Sequence, residues 1–83
     1  MKVLYFAWVK SKVGIGEESV EPPAGVATVG ALLDWLAARS PKHAAALANR
    51  AIVRVAVNQE YVGTDHPVKP GDEVALFPPV TGG

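Results

Sequence analysis

One apolar helical stripe lies between strand-like segments, and that arrangement leaves few folds open. Val29, Leu32, Leu33 and Leu36 recur at helical spacing, while Asp34 and Arg39 fall away from the stripe. Thr28 stands just before it as an N-cap candidate, because its hydroxyl can accept from the free N–H groups of the first turn. Pro41 closes this helix or opens another, and the alanine-rich stretch 42–50 is expected to form a short helix or helical turn. A helix with a single apolar face must bury it, and strands on both sides offer a sheet as the cover.

The run Val3-Leu4-Tyr5-Phe6-Ala7-Trp8-Val9 is rich in β-branched and aromatic residues and reads as a central strand. Gly14 and Gly16 permit a turn, the segment 17–21 reads as a second and more polar strand, and Pro22-Pro23 ends it, so the two are expected to form a hairpin at the sheet edge. Val53, Val55 and Val57 alternate with Arg54 and Ala56, the mark of a half-buried strand. Asn58-Gln59 reads as a turn into a short strand at Tyr61-Val62, and 64–67 as loop. Lys69-Pro70-Gly71-Asp72 is a strong turn, with Pro and Gly at its two central positions, and the last strand is predicted over residues 73–77. The expected architecture is an α+β roll: one domain over 1–77, a mixed sheet with one main helix across one face, and an extended tail over 78–83.

Alternation then divides the side chains. Val3, Tyr5, Ala7, the three valines, Val74 and Leu76 are predicted to face the helix. Leu4, Phe6, Trp8, Arg54, Ala75 and Phe77 fall on the other face, where a single domain has nothing left to cover them. Phe6, Trp8 and Phe77 with Arg54 beside them predict a protein-binding face.

Composition narrows the function classes. At 83 residues, a chain buries only about 60–65% of its unfolded surface, so its core is modest and an internal catalytic pocket is not expected. Eight Lys and Arg balance eight Asp and Glu, which argues against nucleic-acid binding, where a surplus of cations displaces counterions from phosphate. The absence of cysteine removes disulfides, thiolate zinc sites and a cysteine nucleophile. The longest apolar run, Val3 to Val9, is far short of the roughly 20 residues that span a membrane. With no leader-like start, the expectation is a soluble cytoplasmic domain that works with partners.

Several residues invite functional readings that the pattern does not support. His43 and His66 are the only histidines and lack the further ligands that a metal site needs, so no metal is expected. Asp72-Glu73 enters a strand, where adjacent side chains diverge. A turn-stabilising Asp72 and a solvated or partner-facing Glu73 are expected, rather than an acid/base pair. Gly14-Ile15-Gly16 lacks the Lys-Ser/Thr and the following helix of a phosphate loop, and reads as a turn. Trp35 lies off the helix stripe.

The end of the sequence is Phe77-Pro78-Pro79-Val80-Thr81-Gly82-Gly83. Pro78 and Pro79 have no backbone donors and favour an extended chain, so the strand should end and the tail leave the body. The last four residues span about 13 Å when extended. Gly82 and Gly83 carry no Cβ, so such an end can enter a narrow channel and present an unhindered α-carboxylate to another protein's active site.

These residues carry a family likeness. The run Val3 to Ala7 followed by Gly14, the Asn58-Gln59 turn, Asp65 and Pro67, and above all the string from Gly71 to Gly83 resemble the small, sulfur-carrier subunits of molybdopterin synthase, a ubiquitin-like β-grasp family. The resemblance implies a carrier cycle. The Gly83 carboxylate, with an α-carboxyl pKa of roughly 3.5, is unreactive until an E1-like activating enzyme adenylates it with ATP. Sulfur then replaces an oxygen to give a thiocarboxylate, 1-thioglycine. The loaded tail enters the large synthase subunit and donates its sulfur to cyclic pyranopterin monophosphate. No bound cofactor is implied, and the covalent states are the glycyl adenylate and thioglycine at Gly83. The implied site is Gly83 with Gly82, and the implied contacts with the large subunit are Phe6, Trp8, Arg54, Phe77, Pro78, Pro79, Val80 and Thr81. The chain is then an enzyme only as a sulfur-donor subunit, in a heterotetramer of two large subunits with a carrier at each end. Alternatives are a carrier for thiamine or tRNA thiolation, a ubiquitin-like protein modifier, and a binding module with an inert tail.

Overall fold

The computed structural model describes residues 1–79. In chain order the elements are β1 (Lys2–Tyr5), α1 (Ala7–Val13), β2 (Glu17–Ser19), α2 (Val29–Ala37), α3 (Pro41–Ala46), a 3-10 turn (Arg50–Ile52), β3 (Arg54–Val57), β4 (Glu60–Val62) and β5 (Glu73–Phe77). The strands form one mixed sheet in the order β2-β1-β5-β3-β4. β1 and β5 are parallel and central, and the other pairings are antiparallel. With α2 packed across one face, this is the β-grasp roll that the sequence predicts.

Helix α2 forms where the stripe places it. The Thr28 hydroxyl accepts from the Ala31 N–H at 3.2 Å, and Val29, Leu32, Leu33 and Leu36 are all buried. They meet Val3, Tyr5, Val55, Val57, Val74 and Leu76 in one core. Trp35 packs against the edge of that core, with the Arg39 guanidinium 4.9 Å from its ring centroid. Helix α3 begins at Ser40, whose side chain accepts from the His43 N–H at 3.1 Å, with Pro41 in the first turn, where its missing donor costs nothing. The alanine-rich stretch thus holds the short helix expected of it, which ends at Ala46, and a 3-10 turn follows at Arg50–Ile52.

The main correction concerns residues 6–13. β1 ends at Tyr5, not Val9, and Ala7, assigned to the core face by alternation, is exposed on α1. The helix buries Val9 and Val13, four residues apart, and ends at Gly14 with φ +94°, a left-handed conformation that suits glycine. Seven apolar residues in a row fit strand or helix equally well by period. Gly14 with Lys10 and Lys12 in the preceding turn is the end signal that favours the helix. β1 and β2 are antiparallel, with β2 at the sheet edge as expected, but a helix joins them instead of a tight turn. β2 also stops at Ser19, two residues sooner than predicted.

Both predicted turns are present. Asn58 and Gln59 have φ of +50° and +72°, the signature of a tight hairpin turn that follows strand twist. At Lys69–Asp72 the Asp72 N–H donates to the Lys69 carbonyl at 3.2 Å, and Gly71 has φ +91°. The Asp72 carboxylate accepts from the Lys69 N–H at 3.0 Å and from the Asn58 side-chain amide at 3.1 Å. Asp72 therefore ties the two turns together, as its turn-stabilising reading requires. Burial pushes its carboxyl up, but these bonds and the nearby cationic side chains outweigh that and hold it below its ordinary value.

Candidate functional site

The sheet face turned away from α2 is built by register. Leu4 pairs with Ala75, Ala75 with Ala56, and Ala56 with Tyr61, which sets one row of outward side chains across four strands. The next row pairs Arg54 with Phe77. Phe6 joins it: its backbone is extended (φ −127°, ψ 153°), and its N–H donates to the Leu76 carbonyl at 3.1 Å, continuing the ladder. The result is a floor of small residues, Ala56 and Ala75, rimmed by aromatics.

Tyr61 and Phe77 have ring centroids 5.4 Å apart, tilted at 42°. Tyr61 is 77% exposed and Phe6 48%. Large exposed rings on a sheet with a shallow floor mark a surface suited to a protein partner. Arg54 stands at the same end, its guanidinium donating to the Ala51 carbonyl at 3.0 Å. The half-buried Pro78 and Pro79 continue from Phe77, so the chain leaves the sheet beside the aromatic rim. Val80, Thr81, Gly82 and Gly83 lie outside the described residues.

Of the predicted docking residues, the structure brings together Phe6, Arg54, Phe77, Pro78 and Pro79. Trp8 is not among them. It lies on α1, half-buried against the core, because β1 ends three residues before it. Tyr61 takes a place on this face that the sequence reading left unassigned. The register Tyr61↔Ala56 was the missing information, and the Asn58-Gln59 turn, which sets that register, was the available signal.

A second polar constellation lies on the other side of the sheet and was not foreseen. Glu18 Oε2 accepts from the Tyr5 hydroxyl at 2.6 Å and from His43 Nε2 at 2.7 Å, and Glu18 Oε1 lies 3.4 Å from the Arg39 guanidinium. His43 Nδ1 is 2.7 Å from the Ser40 hydroxyl. The sequence Ser, His, Glu invites comparison with a hydrolytic triad. Ser40, however, caps α3, and its oxygen already accepts from a backbone N–H. Burial of Tyr5, followed by its bond to Glu18, raises the phenol above its ordinary pKa. For Glu18, burial raises and the Tyr5 and His43 bonds lower, and the lowering prevails. This set holds elements together rather than reacting.

At the far end of the sheet from Phe77 lies an open cleft of about 440 Å³, lined by Met1, Val20, Pro22, Val26, Val68 and Pro70 among others. Among the described residues no three His, Asp or Glu side chains are placed to hold a metal ion, and no helix is long and apolar enough to cross a membrane.

Comparison with known proteins covers the whole chain. The ThiS family model matches residues 3–83. The molybdopterin synthase sulfur carrier subunit of Escherichia coli (strain K12) is 48% identical over 83 residues, 100% of this chain and 99% of that protein. Among solved structures, the putative molybdopterin converting factor, subunit 1, of Pyrococcus furiosus has a TM-score of 0.78 at 35% identity, covering 95% of each chain. The small archaeal modifier protein 1 of Haloferax volcanii has a TM-score of 0.75 at 32% identity, covering 96% of this chain and 97% of that one. The chain belongs to the ThiS family, and its full-length likeness is to molybdopterin synthase sulfur carrier subunits.

Proposed function

We propose that this protein is the sulfur-donor subunit of a molybdopterin synthase, with Gly83 as the residue that carries the sulfur. The observation that carries this reading is the full-length likeness to named sulfur carrier subunits, supported by a Pro-Pro-Val-Thr-Gly-Gly string that follows Phe77 in the sequence, at the aromatic edge of the outer sheet face. The carboxylate oxygen of Gly83 attacks the α-phosphorus of ATP in an E1-like enzyme, releasing pyrophosphate and giving the glycyl adenylate. A sulfur nucleophile then displaces AMP and leaves a thiocarboxylate. The chain docks on the large subunit through Phe6, Phe77, Tyr61 and Arg54, and threads Pro78 to Gly83 into that subunit's active site. There the sulfur passes to cyclic pyranopterin monophosphate. The absence of Cβ atoms at Gly82 and Gly83 suits a narrow entry channel. The large subunit supplies the groups that act on the substrate.

The test is intact mass spectrometry after incubation with ATP, an activating enzyme and a sulfide source. A gain matching one oxygen replaced by sulfur, localised to Gly83, is the expected result. No gain, with conjugates to lysines of other proteins, would replace this reading with that of a protein modifier, which the likeness to the archaeal modifier favours.

A further inference from the structure

A net charge of zero conceals a segregation of unpaired charge. Ion pairs occupy Lys2 with Glu17, Arg39 and His43 with Glu18, Arg50 with Asp34, and Lys69 with Asp72. Among the described residues this leaves Lys10, Lys12, Lys42 and Arg54 without a carboxylate partner, and Glu21, Glu60, Asp65 and Glu73 without a cation. The strand register separates several of them. Glu60 and Glu73 stand at the end of the sheet where β1 and β5 begin, and Glu21 follows β2 at that same end. Arg54 stands opposite Phe77 at the end where β5 finishes.

Lys10 and Lys42 belong to that second end. Tyr5 N–H donates to the Gly16 carbonyl at 2.8 Å, so the Gly14–Gly16 turn flanks the finish of β1. β1 in turn pairs with β5 through Tyr5 and Leu76. Two strand spacings, about 10 Å, therefore separate the turn from the point where the tail leaves. The Lys42 ammonium lies 3.5 Å from where a Cβ on Gly14 would stand, and the Lys10 ammonium 3.6 Å from where one on Gly16 would stand. Between them Ile15 is 43% exposed. Among the described residues Phe6, Ile15 and Ile52 are three of the four exposed large apolar side chains. Phe6 follows β1, Ile15 lies in the Gly14–Gly16 turn and Ile52 precedes β3, all at this end of their strands.

On the basis of the carrier reading, we infer that the docking surface extends past the aromatic sheet face to the Gly14–Gly16 turn. There Ile15, between Lys10 and Lys42, engages an apolar spot bordered by acidic side chains on the large synthase subunit. Two observations support an acidic partner here: uncompensated cations collected at the tail end, and continuity of this patch with Phe6 and Phe77. Cations at the margin of an interface act mainly on the association rate and its salt dependence. Exposed Ile15 adds contact area that salt does not screen.

The experiment measures binding of the intact chain to the large subunit of molybdopterin synthase by stopped-flow mixing and calorimetry, at salt concentrations of about 50 and 500 mM. For the unaltered chain the association rate should fall by about tenfold across that range. Lys42→Glu should reduce the low-salt rate by about tenfold and flatten the salt dependence. Ile15→Ser should weaken affinity about threefold at both salts. Unchanged circular dichroism and thermal melting will show that both variants are folded. Tight binding with salt-independent rates, or with Lys42→Glu and Ile15→Ser both equal to the unaltered chain, would overturn the extended surface and leave the carrier reading intact. Failure of the unaltered chain to bind would overturn both. Thiocarboxylate formation at Gly83 separately reports whether the tail chemistry survives.

Discussion

Glu18 and His43 are 25 residues apart in sequence, and their carboxylate and ring nitrogen meet at 2.7 Å. That contact joins the edge strand β2 to α3, and the Tyr5 hydroxyl adds the adjacent strand to the same oxygen. An ionised Glu18 is an acceptor only. His43 therefore donates from Nε2, while its Nδ1 lies 2.7 Å from the Ser40 hydroxyl. Each buried polar atom in the set has a partner, and among the described residues no buried side-chain nitrogen or oxygen lacks one.

Glu18→Ala should lower unfolding free energy by about 1–3 kcal/mol, since it strands the Tyr5 hydroxyl and the His43 ring in a part-buried site. Chemical denaturation at neutral pH checks this. The same contacts should make stability pH-dependent. The folded carboxyls of Glu18 and Asp72 titrate below their unfolded values. Their contribution is therefore fully present above the unfolded values of about 4.3 and 3.9, and is lost as pH falls through the lower folded ones. A Glu18→Gln, Asp72→Asn double variant should show a flatter decline in melting temperature between pH 5 and 2, each of those limits being about one to two units from the carboxylate range.

Phe77→Ala should weaken binding to the large synthase subunit by about tenfold or more while lowering stability only modestly, because the ring lies on the outer face against Tyr61. Tyr61→Ala should act in the same direction. A large fall in melting temperature with unchanged affinity would place the ring in a structural role.

Trp8→Ala should behave in the opposite way. The indole packs from α1 against the core, so its removal should cost about 2 kcal/mol of stability, with little effect on partner affinity once the protein is folded. Denaturation and calorimetry on one variant separate the two effects.

Gln59→Gly should stabilise the protein by about 0.5–1 kcal/mol. Gln59 is exposed and holds φ +72°, a region that costs a side chain and favours glycine. Thermal melting gives the sign directly. A destabilised variant would mean that the Gln59 side chain holds the β3–β4 turn.

The parts of this fold that were legible in the sequence are those in which short-range pattern and burial agree. The α2 stripe behind Thr28, the Lys69–Asp72 turn and the bounds of β5 each follow from neighbours within about four residues, the range over which helix period and turn chemistry operate. The same holds for Phe77 and Arg54 on the outer face, since alternation within β5 and β3 assigns their sides. Residues 6–13 lack that agreement. Their apolar run suits both periods, and what ends β1 at Tyr5 is the burial of Val9 and Val13 under α1, a contact between elements. Trp8 lies off the outer sheet face for that reason, and Tyr61 joins that face through pairing with β3. The Tyr5–Glu18–His43 set and the lysines around Gly14–Gly16 unite residues from distant parts of the chain. Local pattern alone was enough for α2, β3, β5 and the two turns. Tertiary structure decided which distant side chains share a surface or a hydrogen bond, because register and helix placement are set by burying one common core.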